Sequence, residues 1–109
     1  MSMRRRGMSQ PSKTKVINAL QSAMSQPDPV RRVMAVDTVL DLALTELGFT
    51  GSLGDKLKKA APRISNLQAV WEAHKMRNQV AHEHDAQLDP KQADWAVRIL
   101  EKAIRDLAR

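Results

Sequence analysis

Apolar side chains in this chain recur at steps of three and four residues, and no stretch alternates at steps of two. That spacing lines one side of an α-helix and leaves no half-buried strand from which to build a sheet. The chain is therefore expected to be all-α. Val16, Ile17, Leu20, Ala23 and Met24 define a first helix over residues 11–25, closed by Pro27 and Pro29. Asp28 then reads as an N-cap with Pro29 in the first turn of a second helix, which runs to Leu47 and stops at Gly48. Ser52 with Asp55 forms a capping-box pattern for a short helix reaching Ala61, and Pro62 closes it. A third long helix is expected from Ser65 or Asn66 to about Glu83. A last one opens at Asp89-Pro90 and follows the stripe Trp95, Ala96, Ile99, Leu100, Ala103, Ile104 and Leu107 to the C-terminus. The expectation is an up-down bundle of four long helices plus one short helix, and a dimer.

The second helix carries an unusual load. Val30, Val33, Met34, Val36, Val39, Leu40, Leu42, Ala43, Leu44 and Leu47 cover more than one face. A surface helix needs only one apolar stripe, so this one is either central to the bundle or shared with a second subunit. Asp37 and Asp41, one turn apart on this helix, are read as a solvated stripe. Trp71 and Trp95 fall within apolar stripes and are expected in the core.

Composition narrows the function classes. There is no cysteine, so disulfides, thiolate metal sites and a cysteine nucleophile are excluded. The aromatics are Phe49, Trp71 and Trp95 alone, too few for a base-stacking platform. No apolar run is long enough to span a membrane, and Arg4-Arg5-Arg6 has no apolar stretch after it, so a cytoplasmic location is expected. Residues 1–10 read as a disordered basic arm and residues 11–109 as the folded domain. The formal net charge of +6 makes a phosphate-bearing partner plausible. Lys13, Lys15, Arg31, Arg32, Lys56, Lys58, Lys59 and Arg63, with the arm, are candidates for a phosphate-tracking surface. No helix-turn-helix or zinc-finger pattern points to base reading in DNA.

The third long helix holds the chemistry. Stepping by about 100° per residue puts Leu67, Trp71, His74, Asn78 and Ala81 on one side. His74 and Asn78 thus lie on the face that should be buried, where they need hydrogen-bond partners. Arg77 and His82 fall on opposite edges of that face, roughly 140° apart on an ideal helix. An imidazole can move protons near neutral pH, and a guanidinium can hold charge on phosphate oxygens. Together they suffice for phosphodiester transfer without a metal. His74, His82, His84 and Asp85 could also be read as a metal site, but lone histidine clusters at this spacing are a weak pattern, and neither a metal nor a cofactor is expected.

Arg77-Asn78-Gln79-Val80-Ala81-His82 resembles the Arg-x4-His motif of the HEPN superfamily, including the polar residue directly after the arginine. Leu53-Gly54-Asp55-Lys56-Leu57 and the segment from Trp71 to Asn78 are similar to stretches of small bacterial members, and the likeness spans residues 16–107. The resemblance implies a helical bundle that dimerises with the two motifs facing a shared cleft. It implies a metal-independent endoribonuclease in a toxin or defence role, with RNA as substrate and a protein inhibitor or antitoxin as a further partner. His82 would be the acid/base residue, Arg77 would bind the scissile phosphate, and Asn78 would orient either. Lys75, His74 and His84 would contact RNA. One toxin branch of the superfamily carries, two residues after the motif histidine, a tyrosine that a partner enzyme modifies. Here that position is His84 and the chain has no tyrosine, so that form of silencing does not apply. Other members have lost catalysis, so a non-catalytic dimerisation or binding module is the alternative.

Overall fold

The computed structural model describes residues 7–82 and 88–109. Within them the chain forms five α-helices and one 3-10 turn: α1 (Gln10–Met24), α2 (Pro29–Glu46), α3 (Leu53–Ala60), the turn Ala61–Arg63, α4 (Leu67–His82) and α5 (Pro90–Leu107). No strand occurs among the described residues. Four helices are long and one is short, as the periodicity predicts.

The helix starts are set by local side chains. The Asp28 carboxylate accepts the Arg31 amide at 2.8 Å, and Asp89 accepts the Lys91 amide at 3.2 Å, each with proline next in the chain. Asn66 accepts the Ala69 amide at 3.3 Å and opens α4. Ser52 and Asp55 complete a reciprocal capping box on α3. Hydrogen bonds from Ser52 to the Asp55 carboxylate hold that carboxyl below its ordinary range.

Gly48 ends α2 at φ +94°. The Phe49 amide returns to the Leu44 carbonyl at 3.1 Å, and the Gly48 amide to Thr45 at 2.9 Å, the two bonds of a Schellman motif. A Cβ at Gly48 would meet no neighbour within 4 Å. Gly48→Ala is therefore expected to cost only the left-handed backbone term, about 1–2 kcal/mol, measurable as a shift in the urea midpoint at unchanged slope.

α2 is the hub. It packs against α1, α3, α4 and α5. Val33, Val36, Val39, Leu40, Ala43 and Leu44 are all buried within the single chain. The core of the monomer thus takes up most of its apolar girth, while Val30, Met34, Leu42 and Leu47 stay partly exposed. The remaining core comes from Val16 and Leu20 of α1, Leu57 of α3, Val70 of α4, and Leu100, Ile104 and Leu107 of α5.

Two sequence expectations change here. Met8 is buried in the core, Ser9 caps α1 through the Ser12 amide, and Gln10 is helical. These three residues belong to the folded part rather than to the arm, because an apolar side chain and a cap act before the first periodic residue does. Residues 1–6 lie outside the described residues. Trp71 and Trp95 are only half-buried, packed against the edge of the core. The centre of the α5 stripe is Ala93, Ala96, Val97, Leu100, Ala103, Ile104 and Leu107, which leaves Trp95 and Ile99 on its shoulder.

Asp106 ties the end of α5 to the turn before α4. Its carboxylate accepts from the Ser65 hydroxyl at 2.8 Å and the Lys102 ammonium at 2.6 Å. Burial acts to raise its pKa, but the hydrogen bonds from Lys102 and Ser65 outweigh that and the net shift is downward. A carboxyl depressed on folding stabilises above its unfolded pKa, and that contribution is lost as pH falls through the folded value. Asp106→Asn is expected to destabilise at neutral pH, with a penalty that shrinks once pH drops below about 3.9. Paired urea titrations across that range check it.

Candidate functional site

α4 crosses α2 so that the face bearing His74 and Asn78 meets Asp37. Asp37 is only 3% exposed. The sequence reading of a solvated stripe is therefore overturned for Asp37, whereas the Asp41 side chain stays 46% exposed. α4 and α3 both pack on α2 here, and each carboxylate takes a basic partner. Asp41 Oδ1 accepts from Lys56 Nζ at 2.8 Å, and Lys56 also donates to Thr45 Oγ1 at 2.8 Å. Asp37 takes up α4.

A chain of hydrogen bonds runs from Arg77 through Asn78 and His74 to Asp37, and an ion pair between Arg77 and Asp37 closes the ring. His74 Nδ1 lies 3.0 Å from Asp37 Oδ2 and 3.2 Å from Oδ1, so the proton sits on Nδ1 and is donated to the carboxylate. That leaves a lone pair on His74 Nε2, which faces Asn78 Nδ2 at 3.4 Å. The Asn78 amide, oriented as donor toward His74, presents Oδ1 to Arg77 Nη1 at 3.4 Å. Arg77 Nε then returns to Asp37 Oδ2 as an ion pair at 3.5 Å. This last contact lacks hydrogen-bond geometry, so Nε is buried without a hydrogen bond. Arg77 Nη2 makes no hydrogen bond among the described residues.

The ring borders an open cleft of about 300 Å³ between α2, α4 and the α3 entry loop, lined by Asp37, Thr38, Asp41, Ser52, His74 and Arg77. Trp71 stands behind it. Its ring meets that of His74 edge-on at 6.4 Å, and it approaches Gly54 so closely that a Cβ there would lie 3.3 Å from Trp71 Cη2.

The predicted residues are thus only partly brought together. Arg77 and Asn78 are in contact, and Asn78 pairs with His74, one turn earlier, rather than with His82, one turn later. His82 is exposed in the last turn of α4 and makes no hydrogen bond or ion pair among the described residues. Lys75 is exposed on another face of α4. His84, and Asp85 of the metal reading, lie outside the described residues. No group of three or more metal-ligating side chains occurs among the described residues.

The basic surface expected from sequence is thinned. Lys56 is buried against Asp41, Lys15 pairs with Glu46 at 3.2 Å, and Arg32 donates to the carbonyls of Gln26 and Pro27. Lys58 and Lys59 remain exposed, on the outer side of α3. No helix among the described residues is long and apolar enough to cross a membrane.

Asp37 is the site residue that sequence reasoning misses. The signal was present in α4: His74 lies on its buried side and needs a hydrogen-bond partner from another helix. The chain matches no family model, no curated protein and no solved structure.

Proposed function

We propose that this chain is a metal-independent endoribonuclease of HEPN type, with Arg77 and His82 as its reacting pair. One observation carries the reading more than any other. Arg77 is held at the edge of a cleft by Asp37 and Asn78, and its Nη2 is left without a hydrogen bond among the described residues. A fixed guanidinium with an open edge suits bidentate capture of a phosphate. His82 stands further along the same helix, exposed and so accessible to a large substrate.

In the proposed reaction the substrate's 2′-hydroxyl oxygen bonds to the adjacent phosphorus and the P–O5′ bond breaks. The hydroxyl proton is lost, O5′ gains one, and His82 moves a proton in this exchange. Arg77 carries the charge that develops on the phosphoryl oxygens. The ends formed are a 2′,3′-cyclic phosphate, or its hydrolysed form, and a 5′-hydroxyl. A homodimer with two such motifs around a shared cleft belongs to this reading. It rests on the family resemblance and on the single motif per chain, not on the girth of α2.

One observation favours the non-catalytic module instead: Arg77 is already partly neutralised by a buried carboxylate. Purified protein incubated with several RNAs in EDTA separates the two. Cleavage to the stated ends, with DNA of the same sequence left intact, supports the nuclease. Loss of cleavage in EDTA, or equal cutting of DNA, rejects the mechanism. No cleavage of any RNA by a protein that still dimerises assigns the module.

A further inference from the structure

We infer that Asp37 is a positioning residue for Arg77, acting both directly and through His74 and Asn78. This rests on the nuclease reading, since it names what sets the geometry of that same site. The argument is one of hydrogen-bond direction. An asparagine amide between two polar neighbours can turn over, exchanging donor for acceptor. Arg77 has donors only, so Asn78 binds it only when Oδ1 faces the guanidinium. That orientation points Nδ2–H at His74, which must then present a bare Nε2. A bare Nε2 on a neutral imidazole requires the proton on Nδ1, and Asp37 accepts the hydrogen bond that Nδ1–H donates at 3.0 Å.

One buried carboxylate therefore dictates, in sequence, the tautomer of His74, the orientation of Asn78 and one anchor of Arg77. The same carboxylate supplies the second anchor itself through Arg77 Nε at 3.5 Å. The hydrogen bond to Asn78 and the ion pair with Asp37 together orient the guanidinium plane. The reaction needs that plane fixed, because misplacing a catalytic group by about 1 Å can cost roughly 100-fold in rate.

Asp37→Asn is the discriminating variant. It keeps the side chain's shape while removing the charge and the obligatory acceptor. An asparagine at this position can donate to Nδ1, moving the His74 proton to Nε2, where it opposes the Asn78 amide. Two measurements are made on folded protein. In long-range nitrogen spectra of the histidine side chains, with His74 assigned by loss of its signals in His74→Gln, the wild type is expected to show the Nδ1–H tautomer and Asp37→Asn to lose it. In RNA cleavage assays Asp37→Asn is expected to lower kcat about 100-fold, with a smaller change in KM and the same product ends.

An Nε2–H tautomer at His74 in the folded wild type overturns the inference. So does wild-type kcat in a well-folded Asp37→Asn protein, while the nuclease reading survives. Wild-type protein that cleaves no RNA removes both. If Asp37→Asn does not fold, His74→Gln opens the same ring without touching the carboxylate and faces the same kcat criterion.

Discussion

Leu40→Ala is expected to remove about 2–5 kcal/mol of stability. Leu40 is fully buried on α2, the helix that meets all four others, so the cavity left behind has walls on every side and little freedom to collapse. A domain of this size has roughly 5–15 kcal/mol in total, so the variant should sit near the edge of folding. Leu42, on the same helix but half-buried, serves as the control and should cost clearly less. Urea titrations of both variants measure the difference. Equal, small losses would mean that α2 is not the hub of the core.

The second large effect separates two residues that the motif treats alike. On the proposed nuclease reading, both Arg77→Ala and His82→Ala are expected to abolish RNA cleavage, but with opposite structural consequences. His82 is exposed and bonded to nothing among the described residues, and surface changes of that kind usually stay within about 0.5 kcal/mol. Arg77→Ala strips one cation from a buried carboxylate and leaves Asn78 Oδ1 without its donor. Breaking a fully buried pair costs about 3–5 kcal/mol. Arg77 is 30% exposed and Asp37 keeps His74, so the expected loss is below that range but well above that of His82→Ala. Thermal melts beside cleavage assays check both halves. Wild-type activity in a folded His82→Ala protein would reject its role as the proton-moving residue.

The elements are legible in the sequence because their signals are local. Asp28-Pro29, Asp89-Pro90, Ser52 with Asp55, and Gly48 each act within a few residues of the boundary they set. The all-α class follows from spacing alone. What spacing does not give is which helix covers which. Asp37 looks solvated next to Asp41 because its partner His74 lies 37 residues away. Only the crossing of α2 and α4 turns that aspartate inward. The same limit explains Asn78, whose two helical neighbours, His74 and His82, are equally available on a helical wheel. The choice falls to His74 because the carboxylate that fixes its tautomer belongs to another helix. The tryptophans are misjudged for a related reason. An apolar stripe has shoulders as well as a centre, and the small residues Ala93, Ala96 and Ala103 take the centre where α5 meets its neighbours closely.

Trp71 gives the ring of bonds around Asp37 an optical consequence. The chain has two tryptophans, and one of them meets the His74 imidazole edge-on at 6.4 Å. Indole emission responds to the polar groups packed against the ring, here the His74 imidazole. With Trp95→Phe silencing the other source, Trp71 becomes a fluorescent gauge placed beside the tautomer on which Arg77 depends. In that single-tryptophan protein, His74→Gln and Asp37→Asn should each shift the emission at constant pH, allowing the state of the ring to be followed in solution, without substrate, in real time.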